Sequence, residues 1–379
     1  MSSQTDSQII STNLIVSVYN CVFLLGYGIS FNQSIKLPKI VTYKLNKSST
    51  DLTIIVIFFL HLLFSLLAGY NLTTSVFFDL FGGYNPISLI IDIVFKSIVL
   101  YLFIFYVCTK RNKFTLPFII LTYLFFYYNN PIASSRFYAF MVYLLIIILF
   151  LRGLSKVKFF FNFIFLFGVI GSFYQNVIRA AFTPVSGANE NSNFFDLNYF
   201  FQGHFDSYEN LSNTITFVQK NGILWGNQLL GVILFWFPRS IWTEKPEGSG
   251  TFLGRTFYSF DTTNQNLNIS APLVMEEYLN FGLFGVILFT YALGYFTAKL
   301  DSKYTLINFF NLKYENGRIE DLFFNYIFYF SFLGIFLFIL RGDLLSSFSY
   351  TVGIYISYKL AIKIFFSKLN LGAIPKQID

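Results

Sequence analysis

Apolar runs of about 20 residues recur along this chain, the length that a bilayer core demands of a helix, and they constrain it more than any other feature. They fall near residues 10–31, 52–69, 87–108, 114–128, 137–151, 159–178, 273–298, 322–340 and 344–366, the fourth and fifth being short. With 55% hydrophobic and 12% charged residues, the chain is far more apolar than a soluble domain, in which roughly a quarter of residues are charged. The expected class is an all-α polytopic integral membrane protein of about nine (9–11) transmembrane helices. It divides into an N-terminal bundle over 1–178 with about six spans, a polar external region over 179–272, and a C-terminal bundle over 273–379 with about three spans.

The 53 Phe are scattered over every span, as an A+T-rich coding sequence would leave them, and carry no site. Cys21 and Cys108 fall inside apolar runs and read as packed small hydrophobes. Met1 to Asn13 holds no Lys or Arg, which argues against a cleaved signal peptide and places the amino end outside. Basic residues then collect in alternate loops: Lys36, Lys39, Lys44 and Lys47; Lys110, Arg111 and Lys113; Arg152, Lys156 and Lys158; Lys299, Lys303, Lys313 and Arg318; Lys359, Lys363, Lys368 and Lys376. By the positive-inside rule these mark the cytoplasmic side, which includes the C-terminus. Ile223 to Phe237 tests the thread. It is apolar but too short to cross, holds Gly226, Asn227 and Gln228, and stops at Pro238, so it reads as a re-entrant or interfacial helix over 223–237.

The external cations are Arg136, Arg179, Lys220, Arg239, Lys245, Arg255 and Arg341, mostly Arg, whereas the cytoplasmic loops are Lys-rich. A guanidinium is the better fixed, two-point grip on phosphate or carboxylate; interfacial snorkelling is the alternative for any one of them. Arg239, bracketed by Pro238 and Trp242, and Arg341, in the short turn Arg341-Gly342-Asp343, are held at membrane depth. Among the external acids, Glu276 and Asn280 share one helix face while Glu277 points about 100° away. Glu276 suits either a general base or an acid favoured at a helix N-terminus. His204 with Asp206 reads as a proton-transfer pair or as solvated loop residues. Asp92 and Lys96, four apart in the third run, pair with each other, as structure or as part of a site lining. The sequence shows no metal-ligand spacing, Gly-rich phosphate loop or Asp-x-Asp, and nothing in it points to nucleic acid.

Pro238-Arg239-Ser240-Ile241-Trp242-Thr243-Glu244-Lys245-Pro246, then Glu276-Glu277-Tyr278-Leu279-Asn280-Phe281-Gly282, then Arg341-Gly342, resemble in order the motifs of the Wzy-type O-antigen and capsule repeat-unit polymerases. From the first to the last they span about a quarter of the chain. The resemblance implies a GT-C-like bundle in a bacterial inner membrane, with one long external loop and a periplasmic active face. It implies a glycosyltransferase that joins undecaprenyl-diphosphate-linked oligosaccharides without metal or cofactor, among membrane lipid and with a chain-length regulator protein as a partner. By motif match Arg239, Lys245 and Arg341 would bind the diphosphate, with Arg136 as a further candidate. Glu276, together with Arg239, would be catalytic; Glu277, Asn280, His204 and Asp206 would position the acceptor or move its proton. Two alternatives stand beside this reading: an O-antigen ligase, and a lipid-linked oligosaccharide flippase.

Overall fold

The computed structural model describes residues 4–31, 42–68, 77, 86–109, 115–131, 134–151, 156–164, 207–258, 269–305 and 318–368. These are almost wholly helical. In chain order they form α1 (Asp6–Phe31), β1 (Thr42–Leu45), α2 (Lys47–Ala68), α3 (Pro86–Thr109), α4 (Leu116–Tyr128), α5 (Arg136–Leu151), α6 (Lys156–Ile164), α7 (Ser207–Asn221), α8 (Asn227–Ile233) and α9 (Ser249–Tyr258). Then follow α10 (Leu273–Thr305), β2 (Arg318–Glu320), α11 (Asp321–Arg341), α12 (Leu344–Phe365) and β3 (Phe366–Lys368).

This is a helical membrane protein. Five of the described helices are long and apolar enough to cross a bilayer: Asp6–Phe31, Ser48–Ala68, Ser88–Thr109, Leu273–Ser302 and Phe323–Arg341. The fourth and fifth apolar runs form helices of only 13 and 16 residues, and most of the sixth lies outside the described residues. At 22 residues α12 is long enough, but its Ser and Tyr content keeps it out of that group. Leu14, Leu24 and Leu25 on α1 and Leu63, Leu66 and Leu67 on α2 are exposed, as side chains facing lipid would be.

The chain divides into two compact units. The first comprises residues 1–35, 167–305 and 335–351. Its core gathers Ile15 of α1, Leu211 and Ile215 of α7, Leu253 of α9, Ala271, and Met275, Leu279 and Val286 of α10. Along the seam of α1 and α10, Gly26 lies on the Tyr291 carbonyl and Gly294 on the Phe23 carbonyl, so that neither position has room for a side chain. Near the far ends of the same two helices the Tyr27 hydroxyl donates to Asp301 at 2.9 Å.

The sequence reading treats 273–298 as one span, but Gly282 breaks it. Its φ of 62° and ψ of −152° belong to a region that essentially only glycine enters. The Thr290 hydroxyl then donates to Glu277 at 2.7 Å, although 13 residues of straight helix would hold them about 20 Å apart. The chain therefore folds sharply back, and residues 273–281 form a short helix lying beside the span. The break frees the Leu279 carbonyl, which accepts from Leu224 N–H at 3.0 Å; Gly226, with φ of 81°, sits on the Phe281 ring. In the Ile223–Phe237 run the helix is the seven-residue α8. At 1.5 Å per residue it spans roughly 10 Å, a third of a bilayer core.

The second unit comprises 36–166, 306–334 and 352–379. At its centre lies α3, whose Leu100, Tyr101, Leu102 and Phe105 are fully buried. Asp92 and Lys96 meet at 2.8 Å inside it, and the Asn129 amide caps the Lys96 carbonyl. His61 is buried, with its ring nitrogens 3.0 Å from the Tyr128 hydroxyl and 3.1 Å from that of Tyr123. Cys21, in the first unit, is exposed on α1 and not packed as the sequence reading has it. The all-α expectation also misses one feature: a three-stranded antiparallel sheet in the order β2-β1-β3. Lys44 pairs with Arg318 and Tyr43 with Lys368, so three basic segments that charge counting puts on one side are hydrogen-bonded together. Strands of three or four residues are too short to stand out in an apolar sequence.

Candidate functional site

The segment from Phe235 to Pro246 is built on its own main chain. Pro238 fixes φ and starts a turn whose carbonyl accepts from Ile241 and Trp242 N–H, each at 3.2 Å. The Arg239 guanidinium then forks onto the carbonyls of Lys245 at 2.6 Å and Pro246 at 3.1 Å. In the opposite sense, the Lys245 ammonium donates to the carbonyls of Phe235 at 2.8 Å and Phe237 at 2.9 Å. The two cations interlock the loop, each capping the other's end. Their surroundings differ: Arg239 is exposed, with three of its five N–H groups beyond the two loop bonds, while Lys245 is only 5% exposed. Burial, and then the Arg239 charge beside it, push the Lys245 ammonium below the usual lysine range. Pro246 closes the loop on α8, its carbonyl against Gly231.

Directly after this loop the chain passes through Glu247 and Gly248 into α9. Ser249 at the head of α9 donates its hydroxyl to Glu276 Oε2, and Leu344 N–H at the head of α12 donates to Glu276 Oε1 at 3.1 Å. Glu276 is 1% exposed. Asp343, 4% exposed, lies beside it: Leu344, which donates to Glu276, is the next residue, and Gly248, which abuts the Asp343 carboxyl, precedes Ser249. Asp343 Oδ2 accepts from the Ser346 hydroxyl at 3.0 Å and from Ser346 N–H at 3.3 Å. Burial raises the Asp343 carboxyl above its ordinary range, against the pull of the Ser346, Gly250 and Leu345 donors. Gly248 faces it: a β-carbon there would come within 2.5 to 2.8 Å of the Asp343 carboxyl atoms. The adjoining turn is fixed by Gly342 N–H on the Phe338 carbonyl at 2.7 Å and by the Ser270 hydroxyl on the Arg341 carbonyl at 2.9 Å.

The residues singled out in the sequence thus separate. Glu276 and the Arg341 turn come together, and the Arg239–Lys245 loop leads into them. The Asn280 amide caps the Glu276 carbonyl at 2.9 Å, and Asn280 Oδ1 is buried without a partner among the described residues. Glu277 is turned to Thr290, its Oε1 likewise unpartnered. Arg255 lies apart, in an exposed pair with Glu247 at 2.8 Å. Arg136 opens α5, where only the backbone is described, and His204 and Asp206 lie outside the described residues. Sequence reasoning passed over Ser249, and named Asp343 as the end of the Arg341-Gly342-Asp343 turn without giving it a role. The signal for Asp343 was its place next to Arg341-Gly342 in a turn too short to let it leave. No family model, curated protein or solved structure matches the chain.

Proposed function

We propose that this protein is a glycosyltransferase of the bacterial inner membrane that polymerises undecaprenyl-diphosphate-linked oligosaccharides into O-antigen or capsular polysaccharide at the periplasmic face. The observation that carries the reading is the interlocked 235–246 loop. It holds an exposed guanidinium in one orientation immediately before a buried polar cluster at the turn that bears Arg341. In this reading nine spans complete a GT-C-like bundle, with the 179–272 region outside.

An acceptor sugar hydroxyl adds to the anomeric carbon of the carrier-linked chain as the bond from that carbon to the diphosphate oxygen breaks. The electron pair leaves with the diphosphate, and the hydroxyl proton is released to the aqueous side. Arg239 and Arg341 meet the charge that grows on the leaving group; fixed donors of this kind need no reorganisation as the charge develops. Lys245, spent on two carbonyls, supports the loop and adds its field from behind. Glu276 is sealed, so the reading gives it the holding of the Arg341 turn and not the abstraction of a proton.

Deletion of the gene and gel analysis of surface glycan test this directly. A polymerase defect leaves single repeat units on the acceptor. Accumulation of long carrier-linked glycan would instead make the protein a ligase, and repeat units trapped in the cytoplasm would make it a flippase.

A further inference from the structure

We propose that Glu276 and Asp343 share a single proton, and that this proton fastens the Arg341-Gly342-Asp343 turn to the Gly248-Ser249-Gly250 segment, making the pair a positioning unit for Arg341. The clasp stands on its own geometry; only its service to a diphosphate rests on the proposed function.

The two carboxyls come from distant parts of the chain and are sealed in one place, 1% and 4% exposed. What faces Glu276 is the Ser249 hydroxyl of α9, Leu344 N–H of α12 and the Asp343 carboxyl. What faces Asp343 is the hydroxyl and amide of Ser346, the Gly250 and Leu345 amides, and Glu276. On α10 the neighbouring Glu277 is turned away to Thr290. Every one of these donors is neutral, so the only titratable group that each carboxyl meets in this set is the other carboxyl. Two carboxylates in contact and out of water repel, and the arrangement is relieved when one of them keeps a proton and donates it to the other.

The bonds to Glu276 run to both sides of the clasp, to Ser249 on one and to Leu344, the residue after Asp343, on the other. Loss of the proton therefore drives the turn from the segment. The sign follows from burial: Asp343 is held above its ordinary range, near 3.9, so the folded arrangement binds more protons than the open one from that value upward. The clasp is complete below the ordinary carboxyl value and weakens as pH rises from there through the raised folded value.

Ala271 reports the opening, because it is fully buried and follows Ser270, whose hydroxyl holds the Arg341 carbonyl. The full-length protein, with Cys21 and Cys108 replaced and Ala271→Cys introduced, is labelled with an impermeant thiol reagent from about pH 4, the ordinary carboxyl value, up to about pH 9. The same reporter is placed beside Asp343→Asn, which is neutral at every pH and still donates. The thiol's own titration is common to both, so their ratio is the measurement. We expect the unsubstituted protein to label progressively faster than Asp343→Asn as pH rises, by on the order of tenfold across the range, and Asp343→Ala to label fast throughout. Glu276→Gln should behave as Asp343→Asn does and serves in its place if that variant does not fold. A ratio that stays flat with pH overturns the proposal. If the ratio rises while deletion of the gene leaves the surface glycan polymerised as before, the clasp stands and the proposed function fails; a flat ratio with single repeat units in the deletion strain spares the function and removes the clasp.

Discussion

Arg239 has two duties that its substitutions can separate. It supplies an exposed charge, and it ties the carbonyls of Lys245 and Pro246 through a planar fork that an ammonium cannot reproduce. Arg239→Lys keeps the charge and loses the fork, and should therefore lose much of the rate. Arg239→Ala should lose on the order of a hundredfold or more, the cost of removing one preorganised charge-stabilising donor. Arg255→Ala should stay near wild type, since an exposed pair contributes about 0–1 kcal/mol. Polymerisation by purified protein supplied with lipid-linked repeat units measures all three. Folded Arg239→Ala running at the unsubstituted rate would place the diphosphate elsewhere. The sequence announced Arg239 through its Pro and Trp neighbours, yet gave no hint that Lys245 turns inward. Nothing in a linear order of residues says which of two carbonyl-capping cations in a loop will be sealed and which will stay exposed.

At the level of elements, the break at Gly282 decides where Glu276 sits. Gly282→Ala meets no clash, its nearest neighbour being Ile223 Cγ2 at 3.6 Å, so its cost is backbone strain of about 1–3 kcal/mol. The variant should melt lower in detergent. Gly28→Ala, in α1 with nothing within 4 Å of the new methyl, should melt at or slightly above the unsubstituted protein. Equal melting of Gly282→Ala and the unsubstituted chain would mean that α10 does not need this glycine to fold back. The existence of the long helices was legible, because twenty apolar residues admit little else. The fold-back was not: Asn280-Phe281-Gly282-Leu283 reads as continuous helix until Leu224 is seen to take up the Leu279 carbonyl that the break leaves over and Thr290 to reach the Glu277 side chain.

For the whole molecule, charge counting predicts the side on which each segment lies, and the prediction can be checked chemically. Single cysteines at Asn213 and Thr262, on either side of α8 in a Cys-free protein, should both react with an impermeant reagent added from outside. Reaction at only one of them would mean that the 223–237 run crosses and that the later helices are inverted. The three-stranded sheet bears on the order in which the molecule is made. Its middle strand, β1, leaves the ribosome early, but its two partners are separated from it by most of the chain, and β3 ends at Lys368. Nascent protein must therefore carry β1 with both edges open until nearly every helix has been inserted. Such long-range pairing closes slowly and late. A chaperone or holdase at the membrane surface has that interval in which to act, and a premature stop codon before Phe366 would leave the second unit unlatched, however well its helices had entered the bilayer.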